Sequence, residues 1–231
     1  MNLFLNFFKN HGLFKIKKRP QWYTVTGRSK VYVNKVLKTI SGEYFKNYEI
    51  KSVHRNKNNV RLYYGSSNEY FDYDKVVFAT HADDTLKLIQ NPTESEKKIL
   101  NNFKYKKNIA YLHSEDKLMP TRKNAWSSWN SILDKNDINK NCVTYWLNKL
   151  QNLKTKNNYF LTLNPIFKID SKKIIKKVEF SHPFYDLQSI NGQKLLSELQ
   201  GVNNSWFCGS YFGYGFHEDG LKSAINIINK I

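Results

Sequence analysis

Apolar residues recur at helical spacing in three parts of the chain. The first predicted helix covers residues about 30–41, with Gly42 as its C-cap. A capping box, Thr93-Glu-Ser-Glu96, opens a second helix that extends to about Phe103. A third helix is predicted over residues 186–200. The N-terminal residues 1–10 alternate Leu and Phe with Asn, which indicates an amphipathic helix.

Short apolar runs between polar turns predict the strands. Residues 48–55, 59–64 and 68–72 form a β-meander, and the continuous run 75–80 indicates a strand buried on both faces. Further strands are predicted over 108–113, 142–147, 159–163 and 174–180, and over the short run 206–208. Helices and strands together predict an α/β (α+β) protein.

The segment Trp206–Ala224 combines a short apolar run, four glycines and the start of a helix. Gly209, Gly213, Gly215 and Gly220 allow positive φ or direct contact of a ligand with backbone, and the helix is expected to open near Gly220 with free N–H groups. Aromatic residues alternate with these glycines, which suits a flat aromatic ligand. The carboxylates of the His217-Glu-Asp219 turn are interpreted as structural, because they offset the helix dipole.

Composition indicates a globular protein. With 231 residues and 40% hydrophobic residues, the chain can bury a core in one or two domains. The net charge of +18 comes overwhelmingly from lysine mixed with Asn and Ile, so it is interpreted as compositional bias. Nucleic acid is not expected as a partner, since phosphate clamping and base reading favour arginine. Cys142 and Cys208 are too few for a disulfide framework or a metal site, and no run reaches the length of a membrane span; a cytoplasmic location is the expectation.

The glycine-rich segment resembles the C-terminal flavin-binding segment of FAD-dependent amine oxidase-like proteins, above all the bacterial subgroup of predicted NAD/FAD-binding proteins. Blocks along nearly the whole chain share this resemblance: Phe7-Phe-Lys-Asn-His-Gly-Leu13, Pro20-Gln-Trp-Tyr-Thr-Val25, Asp74-Lys-Val-Val-Phe-Ala-Thr-His-Ala82, Leu112-His-Ser-Glu-Asp-Lys-Leu-Met-Pro120, Ala125-Trp-Ser-Ser-Trp-Asn130, Val143-Thr-Tyr-Trp-Leu-Asn148 and Leu163-Asn-Pro165.

The resemblance implies a partial FAD-binding Rossmann-like domain with an inserted mixed-sheet substrate domain. Residues 1–103 and 186–231 would belong to the FAD-binding domain, and residues 104–185 to the substrate domain. Family members open with a strand, a G-x-G-x-x-G turn and a helix, and none of the ten glycines has that spacing. The chain is therefore interpreted as the C-terminal portion of a longer flavoprotein, with an N-terminal flavoprotein half as a partner.

The resemblance also implies which residues meet the cofactor, a noncovalent FAD that this chain alone is not expected to hold. Gly209, Gly215, Gly220 and Leu221 would contact the flavin ring and ribityl chain. Val53 would hold the adenine through its backbone, and Thr80 would lie near the pyrophosphate. No metal is expected, and no catalytic residue is identified, because the flavin itself accepts the hydride.

Other polar and aromatic residues leave alternatives open. His113 with Asp116 is interpreted as a structural pair in preference to an acid/base pair, and Trp126, Trp129 and Trp146 as either a substrate wall or core. Two functions remain. One is an FAD-dependent oxidoreductase acting on a small-molecule amine or a lipid-like acyl chain. The other is an inactive or partner-dependent fragment, the binding half of a split flavoprotein.

Overall fold

The computed structural model describes residues 5, 8–10, 12–18, 21, 23–66, 69–134, 137 and 140–231. The chain folds into two compact units, residues 1–104 with 185–231, and residues 105–184. The boundaries between the two units lie within one residue of those predicted from the sequence. The assignment of FAD to the first unit and of a substrate to the second stays a prediction. The expected helix over residues 1–10 lies largely outside the described residues. No helix in the described part is long and apolar enough to cross a membrane.

An antiparallel meander forms one sheet of the first unit, as the sequence predicted. Strands β1 (Ile50–Arg55), β2 (Val60–Tyr64) and β3 (Glu69–Tyr73) lie side by side in that order. Side chains alternate between the two faces, and Val53 and Val60, which share one face, are buried, with exposures of 2% and 0%. The register shifts between Ile50 and Ser52, where β1 begins.

Two short strands form a parallel pair in the same unit. Strand β4 (Val76–Phe78) pairs with β10 (Ser205–Phe207), although the two strands lie far apart in the sequence. The rings of Phe78 and Phe207 stack at 5.4 Å between centroids. Strand β10 is buried throughout, whereas β4 buries only Phe78 and leaves Val77 43% exposed, so the expectation that this strand is buried on both faces is wrong.

Helices of the first unit begin and end within a few residues of the predicted positions, except for Ala82–Leu88, which was not predicted. They are α1 (Ser29–Thr39), α2 (Ala82–Leu88), α3 (Glu94–Leu100), α5 (Leu187–Leu195) and α6 (His217–Ile228). The capping box at Thr93 and Glu96 is confirmed. Gly42 as the C-cap of α1 is wrong, because Ile40 already has an extended backbone there. The helix expected over 186–200 tightens into a 3₁₀ turn over Leu196–Leu199.

A buried ion pair connects three of these elements. The Arg55 guanidinium at the end of β1 donates to both carboxylate oxygens of Glu96, and its Nη1 also donates to Ser205 Oγ at 3.3 Å. The two charged side chains are 2% and 0% exposed. Glu96 also accepts a bond from the Thr93 N–H at 2.8 Å. The pair therefore fastens β1 and the start of β10 to the first turn of α3.

The second unit is built on a five-stranded sheet with strand order β6-β7-β8-β5-β9. The strands are β5 (Lys104–His113), β6 (Trp129–Leu133), β7 (Asn141–Trp146), β8 (Phe160–Leu163) and β9 (Ile174–Phe184), with the short helix α4 (Leu147–Leu150) between β7 and β8. Strand β6 was not predicted, since its apolar side chains are interrupted by Asn130 and Ser131. The pairs β6–β7, β7–β8 and β5–β8 are antiparallel.

A chain of buried hydrogen bonds crosses this sheet. His113 Nδ1 accepts a bond from the Glu115 N–H, so Nε2 carries the proton and donates to Thr162 Oγ1 at 2.8 Å. Thr162 Oγ1 in turn lies 2.8 Å from Thr144 Oγ1, and all three side chains are fully buried. Asp116 is not part of this chain of bonds. The structural interpretation of His113 therefore fits the geometry better than proton transfer.

Removal of the middle hydroxyl tests this network. We expect Thr162→Val to lower the free energy of unfolding by about 1–3 kcal/mol, because the His113 N–H and the Thr144 hydroxyl lose a partner inside the sheet. Urea unfolding measures the loss, and Thr162→Ser, which keeps the hydroxyl, should cost clearly less. Equal losses for the two variants would contradict the network.

The tryptophans divide between core and surface. Trp126 is buried and packs edge-on against Trp146, with 5.3 Å between ring centroids, and it also contacts Phe160. Trp129 is 62% exposed and contacts Tyr145. The three rings therefore do not form one continuous wall: two belong to a core cluster and the third lies on the surface.

Candidate functional site

Thr80 and Gly209 meet where the two parallel strands end. Thr80 follows β4 and Gly209 follows β10, so both lie at the carboxyl edge of the strand pair. A Cβ built on Gly209 would lie 3.9 Å from the Thr80 carbonyl oxygen. The Thr80 hydroxyl is 2.7 Å from that of Thr85, which is fully buried in α2. Ligands of open α/β sheets bind at this carboxyl edge.

Position 209 can be occupied only by glycine without strain. Its φ of 152° is a backbone conformation that side chains with a Cβ rarely adopt, and an added Cβ would lie 2.8 Å from a ring carbon of Tyr211. Gly215 has a φ of 92°, and its N–H donates to the Ser210 carbonyl. The loop after β10 therefore turns sharply twice within a few residues, which leaves bare backbone at Gly209 and Gly215.

Two side chains outside the loop hold it in place. From α5, Gln193 Nε2 donates to the carbonyls of Tyr211 and Gly213, at 3.0 and 2.7 Å. From α6, Asp219 Oδ2 accepts the N–H groups of Tyr214 and Phe216, at 3.0 and 2.9 Å. The structural interpretation of Asp219 thus fits its contacts. The role of Gln193 was missed, because no local motif links it with the loop.

Ser223 joins the start of the loop to α6. Its hydroxyl oxygen accepts the Gly209 N–H at 2.9 Å, and its single O–H donates to the Gly220 carbonyl at 2.7 Å, with the Gly209 carbonyl oxygen 3.3 Å away. The Ser223 side chain is buried. Backbone groups of Gly209 are therefore partly engaged by the protein itself.

The position expected for Gly220 needs a correction. Helix α6 begins at His217, three residues before Gly220, and the Gly220 N–H already donates to the Phe216 carbonyl at 3.2 Å. A Cβ on Gly220 would lie 3.7 Å from the Ser210 nitrogen, so this glycine lets the helix approach the loop backbone. Next to it, Leu221 is 56% exposed.

The backbone of Val53 was expected to hold an adenine, but in the structure its carbonyl binds another part of the chain. Its carbonyl accepts the Gln90 N–H at 2.9 Å, and Val53 forms a parallel bridge with Ile89 beyond α2. Its side chain is buried in the core. The carbonyl of Val53 therefore serves the packing of β1 against the end of α2, and the sequence pattern did not show this because the bridge joins distant segments. Contact with an adenine stays a prediction.

Cys208 faces the core beside α6. It packs in a cluster with Trp206 and Ile227, and burial raises the pKa of its thiol. A buried, protonated thiol is a poor nucleophile. These contacts fit the expectation that a cofactor at this loop would be held without a covalent bond to Cys208.

A group of possible metal ligands lies at the start of α2. Ligand atoms of His81, Asp83 and Asp84 lie within 4.8 Å of one another. Lys87 forms ion pairs with both carboxylates, at 3.6 and 2.9 Å. The lysine offsets the charge of both carboxylates, so the cluster is interpreted as a surface ion-pair network.

Solved structures share this architecture at low sequence identity. A fatty acid isomerase from P. acnes has a TM-score of 0.61 with 11% identity, covering 88% of this chain and 52% of the isomerase. A variant of putrescine oxidase made to redesign cofactor binding has a TM-score of 0.59 with 9% identity, covering 89% and 53%. A protein described as a protoporphyrinogen oxidase from Exiguobacterium sp. 255-15 has a TM-score of 0.62 with 11% identity, covering 99% and 57%.

The chain therefore has an amine oxidase-like fold, a class of mixed helix and sheet proteins. It spans about half the length of these structures. No family model and no curated protein sequence matches it. The fold predicted from the sequence is confirmed.

Proposed function

We propose that this chain supplies the flavin-contacting part of an FAD-dependent oxidoreductase of the amine oxidase type. The observation that carries the proposal is the loop after β10, which meets Thr80 at the carboxyl edge of a parallel strand pair. Its substrate would be an amine or a lipid-like acyl chain, as the resemblance implies. When bound, FAD would supply the hydride acceptor.

The loop residues fit a flat ligand held by backbone. Gly209, Gly215 and Gly220 have no side chain and are partly exposed, so a ring could approach to van der Waals contact. The exposed side chain of Leu221 offers an apolar surface beside them. Gln193 and Asp219 fix the loop before any ligand arrives, which reduces the entropy that binding would cost.

A partner-dependent role is favoured by a different observation, the asymmetry of the parallel strand pair. On the outer edge of β10, the Gln200 side-chain amide donates to the Phe207 carbonyl and accepts its N–H, both at 2.9 Å, as a neighbouring strand would. Among the described residues, β4 pairs with β10 alone. Val77 on β4 is 43% exposed. We propose that a dinucleotide-binding segment pairs with β4 and supplies the pyrophosphate contacts.

Flavin retention tests the proposal. After gel filtration, the purified chain should retain little FAD, because the glycine turn and helix that bind a pyrophosphate are not among its motifs. Mixed with a polypeptide that carries such a strand, glycine turn and helix, it should retain FAD stoichiometrically. Stoichiometric FAD on the chain alone would contradict the need for a partner, and no retention with the added polypeptide would contradict the flavin proposal.

A further inference from the structure

The outward face of the meander carries a row of aromatic side chains. His54 on β1, Tyr63 on β2 and Tyr70 on β3 lie on the face opposite the buried Val53. Ring centroids are 4.7 Å apart for His54 and Tyr63, and 5.7 Å apart for Tyr63 and Tyr70. Three rings therefore cross the sheet in one continuous row.

A guanidinium group fixes the end of this row. Arg61 lies over the Tyr70 ring at 3.8 Å from its centroid. Asp72, opposite Arg61 on β3, accepts bonds from its Nε and Nη2, each at 2.8 Å. The hydrogen bond with Asp72 raises the pKa of Arg61, and the same bond lowers the pKa of Asp72. Arg61 is therefore neutralised locally and acts as a flat support for Tyr70.

A cavity of about 580 Å³ lies over the aromatic row. Its lining includes Tyr63, Tyr70, His54, Ser52 and Lys51. Cross-strand aromatic contacts alone stabilise a sheet. A cavity of ligand size, with a few polar groups converging on an aromatic floor, is typical of a binding site for a small molecule.

The polar groups at the rim favour an anion. The Lys51 ammonium pairs with Glu49 at 2.7 Å, but both side chains are at least half exposed, so water or an anion can replace this contact. Ser52 and His54 add two hydrogen-bonding groups, the Ser52 hydroxyl and the His54 Nε2, which lie 3.2 Å apart. The chain's net charge of +18 attracts anions to its surface.

We infer that this cavity binds a nucleoside monophosphate. The base stacks on Tyr63 and Tyr70, and the phosphate is bound by Lys51. Because Asp72 neutralises Arg61, the cavity offers the charge to bind one phosphate, which favours a mononucleotide over a nucleic acid chain. The site lies on the opposite face of the meander from Val53, so it does not depend on the proposed flavin function.

Calorimetric titration of the chain with inosine 5′-monophosphate tests the inference, with inosine as the matched ligand without phosphate. Tyr63→Leu and Tyr70→Leu should each weaken binding roughly tenfold, as loss of a stacking ring does, and Tyr70→Phe should retain it. Lys51→Gln should weaken binding of the monophosphate and leave inosine unaffected. Thermal melting of each variant verifies that it is folded.

Tyr73→Leu is the control, because Tyr73 lies on the same strand as Tyr70 with its side chain on the other face. It should change affinity less than twofold, since the stacking row is intact. No saturable binding up to about 10 mM would overturn the inference. Equal losses for Tyr70→Leu and Tyr73→Leu would overturn it as well.

Discussion

Replacement of Glu96 by alanine is expected to lower the free energy of unfolding by about 3–5 kcal/mol, because it leaves the buried Arg55 guanidinium without its counter-charge. The substitution would also remove the capping box of α3 and the link from β1 to α3. Urea unfolding measures the change in the free energy of unfolding. Glu94→Ala is the matched control: Glu94 lies in the same helical turn with a 91% exposed side chain, and its loss should cost about 0–1 kcal/mol.

The ion pair also predicts a pH dependence. Burial by itself raises the pKa of Glu96, but the hydrogen bonds from Arg55 and Thr93 outweigh it, so the pKa lies below the ordinary value of 4.5. The stabilisation is therefore present above about pH 4.5 and is lost as the pH falls through the lowered pKa. Glu96→Ala should lack this part of the acid transition. Equal acid sensitivity of Glu96→Ala and the unaltered chain would contradict the role of the pair.

Gly220→Val is expected to abolish flavin retention by the assembled pair while the chain stays folded. The γ-methyl groups of valine would press against the backbone at Gly209 and Ser210, where a Cβ already reaches 3.7 Å from the Ser210 nitrogen. The loop would move away from Thr80, and FAD affinity should fall more than tenfold. Flavin absorbance after gel filtration measures the effect, and circular dichroism verifies the fold.

Two variants separate the loop from the helix around it. Gly220→Ala places only a Cβ at ordinary contact distance, so it should keep its flavin and slightly stabilise α6. Lys222→Ala removes a 67% exposed side chain paired with Glu218, so it should change flavin retention and stability little. Retained flavin in Gly220→Val, or equal losses in Gly220→Val and Lys222→Ala, would show that the loop does not contact the cofactor.

The elements with local signals were predicted well. The meander, the capping box at Thr93 and the glycine-rich turn after Trp206 each follow from residues near one another in the sequence. Strand β6 was not predicted because Asn130 breaks its apolar pattern, and Asn130 is buried only because it bonds to Ser127 and Thr144. Such a polar strand can be identified only with its neighbours in place.

The candidate site is formed by contacts between segments that lie far apart in the sequence, and the sequence did not predict these contacts. That Thr80 lies beside Gly209 follows from the pairing of β4 with β10, which the sequence did not predict. Gln193 and Gln200 hold the loop and β10 through side-chain amides, and a glutamine carries no such signal by itself. The packing role of Val53 was missed for the same reason, because the partner of its carbonyl, Gln90, lies beyond the next three strands and α2.

The most direct measurement of the central claim is an amide ¹H–¹⁵N spectrum of the chain titrated with FAD, which also detects weak binding. We expect shifts to concentrate at Thr80, Gly209, Ser210 and Gly215, and ADP, which lacks the flavin ring, to leave the loop amides unchanged. Shifts that avoid this loop, or equal loop shifts with ADP, would contradict the claim that the loop after β10 contacts the flavin.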